Sequence, residues 1–228
     1  TAAVHLSAIA HTCRAIVDML TRESTAAGRP APGLIAVVKA NAYGHGAVPV
    51  ARTLEAAGAS MLACADIEEG VELRRAGVGL PILVFGALSL SDLDGVIDYD
   101  LTPTVSTPSA ARRLAALAER RGVTLPCHLK IDSGMNRLGF RHDNLGRTMP
   151  AVVGSPHLKI EAVYTHFATA DVPESPFLDE QRRRFERALA ALGALGVGRC
   201  GRHAANSAAM LRDARTWYDF VRPGLLLY

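Results

Sequence analysis

Short apolar runs alternate along this chain with segments in which apolar residues recur at helical spacing. Most of the runs lack the strict apolar–polar alternation of a strand with one solvated face, so strands buried on both faces of a parallel sheet are expected. The eight runs are residues 34–40, 61–65, 81–85, 101–105, 127–131, 160–164, 201–205 and 220–228.

Helix signals fill the gaps between these runs. Asp66 with Glu69 three residues later reads as a capping box, and Gly77 is a suitable stop for the helix that follows. Thr107 and Pro108 read as the N-cap and first position of another helix. The helical segments are 8–24, 47–57, 66–77, 107–122, 175–195 and 207–214. This alternation predicts a (β/α)8 barrel rather than a doubly wound sheet.

The ends of the chain differ from those of a complete barrel. Residues 1–7 precede the barrel, which takes residues 8–228. The chain stops at Tyr228, inside the eighth run and before any eighth helix. We therefore expect that more chain follows in the parent protein.

Composition is consistent with one folded barrel. The chain has 228 residues, 49% of them hydrophobic and 21% charged, and an α/β barrel takes roughly 200 to 250 residues. This balance excludes a disordered tail and a disulfide miniprotein. No apolar stretch approaches the ~20 residues of a membrane-spanning helix, so no membrane segment is expected.

The placement of charges and cysteines argues against nucleic-acid and metal binding. The net charge is only +3, and the densest basic run, residues 182–184, lies among acidic residues in a helical segment, which favours a solvated helix face. The four cysteines are widely separated and show no metal-ligand spacing. We expect reduced, buried thiols in a cytoplasmic protein, and no metal site.

The active site of such a barrel lies at the carboxyl ends of the strands, which singles out Lys39 at the end of the first run. A partly desolvated lysine amine is a nucleophile that forms a Schiff base with an aldehyde. The alternative is a lysine whose amine simply extends into solvent, and position alone favours neither. Tyr43 lies among two glycines and a histidine in the loop that follows, where it could donate a hydrogen bond to an anion.

Two further loops carry candidate residues. Arg137 follows the fifth run on a glycine-flanked loop, and its five donors suit a phenolate or a carboxylate, although a surface arginine is the simpler interpretation of this residue alone. His166 closes the sixth run, where it is either structural or stacked flat on an aromatic ring.

The loops after the seventh and eighth runs predict an anion site. Asn206 and Ser207 open a helix, where they form either a simple cap or, with backbone N–H groups, an anion cradle. Arg222 lies on the eighth run, and Gly224 allows a backbone N–H to reach the same anion. A phosphorylated aldehyde bound through Lys39 accounts for all these groups, which makes pyridoxal 5′-phosphate (PLP) the obvious candidate cofactor.

Five segments resemble, in order and spacing, the motifs of bacterial alanine racemase. They are AVVKANAYGHG, HLKIDSGMNRLGF, VYTHFATAD, HAANSA and VRPGLLLY, and the match runs from about Val4 to Tyr228. The resemblance implies a barrel enzyme of fold type III that binds PLP, interconverts L- and D-alanine for cell-wall synthesis, and forms a homodimer.

The resemblance also implies a role for each candidate. Lys39 would form the Schiff base and act as the base on one face of the substrate. Arg137 would contact the phenolic oxygen of the cofactor and the carboxylate of the substrate, while His166 would lie against the ring and hydrogen-bond Arg222. Arg222 would face the pyridine nitrogen, and a carbamylated Lys130 would orient the active-site arginine. The phosphate ligands would be Tyr43, Asn206, Ser207, Gly224 and Leu225.

The chain departs from the family in one respect that matters for activity. Family members continue into a β-rich C-terminal domain, which supplies a tyrosine base for the opposite face of the substrate across a dimer interface. The 228 residues contain neither the domain nor this tyrosine, and residues 4–6 resemble the strand that packs with that domain. The chain alone is therefore expected to bind PLP and to racemise alanine poorly or not at all.

Two other functions stay open on the sequence alone. A barrel-only protein that binds and buffers PLP without racemase activity fits the length of the chain. A Schiff-base aldolase without PLP fits a barrel lysine, although its lysine usually lies on a later strand. The sequence also does not distinguish alanine from serine as the substrate.

Overall fold

A computed structural model describes residues 3–86 and 93–228, and its strands form a closed parallel ring. The strands are β1 Gly33–Val37, β2 Met61–Cys64, β3 Ile82–Val84, β4 Thr102–Val105, β5 Leu125–Asp132, β6 Phe140–Arg141, β7 Leu158–Tyr164, β8 Gly201–His203 and β9 Phe220–Val221. Eight of them neighbour one another in the order β4-β3-β2-β1-β9-β8-β7-β5, and pairing between β4 and β5 closes the ring. The short β6 pairs in parallel with the end of β5.

Helices connect the consecutive strands of the eight-stranded ring, so the predicted (β/α)8 barrel is confirmed. The helices are α1 Leu6–Ala26, α2 Lys39–Gly44, α3 Ala47–Ala56, α4 Ile67–Arg75, α5 Asp94–Asp98, α6 Pro108–Arg121, α7 Leu145–Thr148, α8 Pro150–Val153, α9 Phe177–Ala194 and α10 Ser207–Arg212. Within the described residues β9 is followed by one short turn, Leu225–Leu227, and by no eighth helix.

Local capping explains why two of these helices begin where the sequence indicates. The Oδ1 of Asp66 accepts a hydrogen bond from the N–H of Glu69 at 2.9 Å, at the start of α4. Thr107 caps α6 in the same way through the N–H of Ala110 at 3.1 Å, with Pro108 in the first helical position. Both predicted helix starts are confirmed.

Several boundaries differ from the predictions. Strand β1 ends at Val37, so Lys39 begins the following turn instead of ending the strand. Strand β9 covers two residues of the predicted 220–228, because Pro223 has no N–H to donate to a ladder. In the described part of residues 1–7 there is no strand, and α1 begins at Leu6. Strand β6 escaped prediction because two residues carry no periodic signal.

The interior of the barrel is apolar on one side and polar on the other. The first three strands contribute an apolar cluster of Ile35, Val37, Ala63 and Leu83. Phe220 packs against this cluster, where a Cβ on Gly33 would lie 2.7 Å from its ring. The later strands, together with the residue after β9, contribute buried polar side chains, which are Thr104, His128, Lys130, Tyr164, His203 and Arg222. The Tyr164 side chain is only 1% exposed. This polar half is the part of the barrel that supports the site.

No helix in the described ranges is long and apolar enough to cross a bilayer. All four cysteines are free thiols, and Cys13, Cys64 and Cys127 are buried as predicted. Cys200 is only partly buried, which corrects the expectation for that residue.

Candidate active site

A cavity of about 540 Å³ opens at the carboxyl ends of the barrel strands. All ten residues that the sequence analysis assigned to the site line this cavity. They are Lys39, Tyr43, Lys130, Arg137, His166, Asn206, Ser207, Arg222, Gly224 and Leu225. Four of them are lysines or arginines, whereas among the described lining residues Asp171 is the one carboxylate. The charge balance therefore favours an anionic ligand.

Lys39 stands at the start of a left-handed backbone turn. The four residues that follow it, Ala40 to Tyr43, have φ angles between 51° and 53°. Each residue other than glycine in this conformation has a conformational energy higher by on the order of 1 to 2 kcal/mol, so contacts outside the turn must stabilise it. The turn brings both Lys39 and Tyr43 to the cavity, with the Lys39 Nζ 5.9 Å from the centre of the Tyr43 ring.

Hydrogen bonds inside the first loop hold the end of this turn. The N–H of Ala42 donates to the Val38 carbonyl at 2.8 Å. The Nδ1 of His45 lies 3.0 Å from the carbonyl oxygens of both Ala42 and Tyr43. Because carbonyls only accept, Nδ1 must carry the proton of this ring. The His45 side chain thus hydrogen-bonds the backbone of the loop.

Ser207 joins the two loops that were predicted to bind an anion. Its Oγ accepts hydrogen bonds from the N–H groups of Gly224 at 3.0 Å and Leu226 at 3.3 Å. Both lone pairs of the hydroxyl are thereby used, which leaves its own proton to donate to a ligand. A Cβ on Gly224 would lie 2.5 Å from the Tyr43 hydroxyl, so only glycine allows this approach. The Oδ1 of Asn206 instead caps the start of α10.

Arg222 is buried and makes three hydrogen bonds inside the barrel. It donates to the Nδ1 of His203 at 2.9 Å and to the carbonyls of Thr165 and Ala204 at 2.7 Å and 2.9 Å. The predicted hydrogen bond with His166 is wrong within the described structure. His203 takes this place because it lies on β8 beside the strand of Arg222, whereas His166 follows the end of β7 and lines the cavity.

A second histidine extends this contact across the barrel. The Nε2 of His203 lies 3.1 Å from the Nδ1 of His128. A guanidinium only donates, so the His203 Nδ1 accepts from Arg222 and its Nε2–H donates to His128. Burial, with the charge of Arg222 second, lowers the pKa of His128 to about 4 and that of His203 well below its ordinary value. Both rings are neutral at neutral pH, and they orient Arg222 without adding charge.

Burial also changes the acid–base properties of the cavity cations. It lowers the pKa of Arg222 to about 10, which still leaves the guanidinium protonated at neutral pH. Burial, followed by the charges of Arg222 and Arg137, lowers the pKa of Lys130 to about 7. The Lys130 Nζ lies 4.5 Å from the centre of the Tyr164 ring. A large part of Lys130 is therefore an unprotonated, nucleophilic amine at neutral pH.

His166 is a neutral ring in the same cavity. Burial lowers its pKa to about 2, and the surrounding cations act in the same direction, with Arg222 the strongest of them. A ring that stays neutral can lie flat against an aromatic ligand without introducing a charge. This agrees with the stacking role and not with a role as a proton donor at neutral pH.

Arg137 is exposed on a loop whose shape is set by its neighbours. The Oδ1 of Asp132 accepts hydrogen bonds from the N–H groups of Gly134 at 2.9 Å and Asn136 at 3.0 Å. The loop closes at β6, which pairs with the end of β5. The guanidinium of Arg137 is left at the mouth of the cavity, where a ligand can reach it.

Gln181 is a buried residue that the sequence analysis did not single out. On α9, its Oε1 accepts from the N–H of Ala168 at 2.8 Å and its Nε2 donates to the carbonyl of His166 at 3.1 Å. It therefore fixes the backbone that carries His166. A glutamine inside an amphipathic helix gives no signal of such a contact in the sequence.

These features define a class of protein. The closed parallel barrel carries a lysine after its first strand and a cation-rich cavity at its mouth, with hydroxyl and N–H donors on its last two loops. The protein is therefore an α/β barrel with a candidate anion-binding site. Residues 4–228 match the model of the family "Alanine racemase, N-terminal domain". The chain belongs to this family.

Individual relatives agree with this assignment. The alanine racemase of Desulforamulus reducens is 42% identical over 228 residues, which cover 100% of this chain and 60% of the relative. The alanine racemase from D-cycloserine producing Streptomyces lavendulae has 35% identity and a TM-score of 0.91, covering 99% of this chain and 57% of its own. The alanine racemase from Bacillus anthracis with bound L-Ala-P has 37% identity and a TM-score of 0.88. This match covers 99% of the present chain and 56% of the Bacillus anthracis chain. The chain thus spans less than two thirds of the length of these relatives.

Proposed function

We propose that this chain is the cofactor-binding barrel of an alanine racemase, which holds PLP through Lys39 and interconverts L- and D-alanine. The observation that carries the proposal is the cavity itself, which is lined by Lys39, by Tyr43 with its hydroxyl beside Gly224, and by the loops that Ser207 joins. Membership of the alanine racemase family supports the reaction, and the chemistry of the lining supports the cofactor.

The donors of the chain fit the two ends of the cofactor. The Ser207 hydroxyl and the Tyr43 hydroxyl beside Gly224 would hold the phosphate, with the backbone around Asn206 and Leu225 completing the cradle. At the other end Arg222 uses three of its five N–H donors on the protein, which leaves two for an acceptor such as a ring nitrogen.

Each side chain then has a separate task. Bound PLP supplies an electron-withdrawing ring that acidifies the α-hydrogen of an amino acid. Lys39 takes or returns that proton on one face of the substrate. Arg137 orients the substrate carboxylate and the phenolic oxygen, and the neutral His166 lies against the ring. Arg222 keeps the ring nitrogen unprotonated, because a guanidinium does not readily release a proton.

Racemisation also needs a proton donor on the opposite face. We propose that a tyrosine of the additional domain found in the longer relatives supplies it, across the interface of a cytoplasmic homodimer. Loss of one general acid–base group slows a reaction by about 10² to 10⁴-fold, so the 228-residue chain should racemise L-alanine at least about a hundredfold more slowly than a full-length relative.

The experiment combines two measurements on the same preparation. After PLP is added and the unbound cofactor is removed by gel filtration, the protein should keep a visible absorbance that borohydride removes, while little D-alanine forms from L-alanine. Racemisation at the rate of a full-length relative would contradict the missing second base. A colourless protein after gel filtration would contradict the cofactor assignment.

We also propose that Lys130 is carbamylated. Its unprotonated amine attacks carbon dioxide, releases one proton and becomes an anion that offsets the charges of Arg137 and Arg222. With isotope-labelled bicarbonate, the protein should show a carbamate carbon resonance that Lys130→Met lacks and Lys159→Met retains. An unmodified amine at Lys130 in the wild-type protein would refute this.

A further inference from the structure

Glu69 does not complete the capping box that its position predicts. In such a box the third-position acid reaches back to the N–H of the capping residue, here Asp66. Instead, the Glu69 Oε1 accepts a hydrogen bond from the N–H of Ala40 at 2.6 Å. Its Oε2 accepts from the N–H of Ala65 at 2.7 Å. Each oxygen of the carboxylate therefore contacts the backbone of a residue outside α4.

The two donors belong to neighbouring loops of the active site. Ala40 is the first residue of the left-handed turn after β1, and Ala65 directly follows β2 and lines the cavity. Glu69 thus joins the carboxyl ends of the first two strands. Each N–H donates to a different oxygen of Glu69, and a carboxylate supplies both acceptors in charge-assisted hydrogen bonds, which are the strong kind.

We infer that Glu69 is a positioning residue that holds the left-handed turn and thereby sets where Lys39 and Tyr43 lie in the cavity. The inference rests on the proposed function, since it assigns the turn the task of presenting Lys39 to PLP. Lys39 directly precedes the anchored N–H, and Tyr43 ends the turn. Residues other than glycine disfavour this backbone conformation, so without the Glu69 hydrogen bond a smaller fraction of the molecules has the left-handed turn. The apparent affinity for PLP falls in proportion to that fraction.

The test replaces Glu69 with glutamine, which keeps the shape but offers one acceptor oxygen in place of two. We expect Glu69→Gln to weaken the apparent affinity for PLP, measured from the visible absorbance, by at least about tenfold. Amide hydrogen exchange at Ala40 and Ala42 should become faster in the protein without PLP. Glu68→Gln is the matched control, because Glu68 is the exposed neighbour on the same helix turn. It should change neither quantity.

A second substitution separates positioning from general stabilisation. Glycine adopts the angles of Ala40 without the steric cost that alanine meets. Adding Ala40→Gly to Glu69→Gln should therefore restore most of the lost affinity. If Glu69 only stabilised the fold, Glu69→Gln would lower the melting temperature and leave the affinity at a temperature well below melting unchanged.

The outcomes distinguish this inference from the proposed function. Unchanged affinity and unchanged exchange at Ala40 and Ala42 in Glu69→Gln would overturn the positioning role. A wild-type protein that forms no absorbing complex with PLP would overturn the proposed function and, with it, the assignment of the turn to PLP. Weaker affinity with faster exchange and glycine rescue supports both.

Discussion

Lys39→Ala is expected to abolish the covalent attachment of PLP. Lys39 is the lysine that lines the cavity at the start of the left-handed turn, near the Tyr43 ring. Without its amine no Schiff base forms there, and the cofactor is left with its noncovalent contacts. The absorbance of the Schiff base should disappear, and the apparent affinity should weaken by at least about a hundredfold, which is about 3 kcal/mol.

The other two lysines provide the comparison. Lys159 lies near the start of β7, is exposed and pairs with Glu161, so Lys159→Ala should bind PLP like the wild type. Lys130 lines the same cavity but is only 5% exposed. If borohydride fixed the cofactor permanently to Lys39→Ala, the aldehyde would be reacting with a different amine and the assignment would be wrong.

Arg222→Glu is expected to shift the chemistry from racemisation towards transamination. The guanidinium keeps the ring nitrogen unprotonated, so the ring is a weak electron sink and a proton returns to the substrate carbon. A carboxyl group at this position can share a proton with that nitrogen and make the ring a stronger sink. Transamination of alanine, measured as pyruvate formed, should rise on the order of tenfold as racemisation falls.

Burial makes the choice of controls important for this substitution. Arg222 is 4% exposed and makes three hydrogen bonds inside the barrel, so a carboxyl group here removes these buried contacts as well. Arg222→Lys keeps the positive charge and should not raise pyruvate formation. The melting temperature of each variant verifies that it is folded. Unchanged pyruvate formation in a folded Arg222→Glu variant contradicts the assigned role of Arg222.

The barrel could be predicted because its strands are buried on both faces and most of them leave runs rich in apolar residues. All eight runs contain a strand, and Asp66 and Thr107 mark the starts of their helices by ordinary capping chemistry. Strand ends were harder to place. The end of β1 was set too late, since Val38 and Ala40 are apolar and extend the run past Lys39 although the strand ends at Val37.

The left-handed turn itself could not be predicted. Its residues, apart from Asn41, have no tendency towards positive φ, and the acceptor for its first N–H lies 29 positions later on another helix. The same holds for Glu69, whose sequence position indicates a local cap. Its actual partners become visible only once the loops after β1 and β2 lie side by side.

That the candidate residues line one cavity was predictable, because their motifs lie at the carboxyl ends of the strands. A parallel barrel brings all of these strand ends to one face. The contacts among the site residues were not predictable. His203 and His128 lie inside strands and are separated by 75 positions, so only the register of the sheet shows that they connect to Arg222. The expected His166–Arg222 contact was wrong for the same reason.

Peptide mapping after borohydride reduction of the PLP-treated protein tests the central claim most directly. Reduction makes the link between lysine and cofactor permanent, so the modified residue can be read from the masses of the fragments. The account predicts that the cofactor mass is found on Lys39 alone. Cofactor on Lys130 or Lys159 instead, or on no lysine, would contradict it.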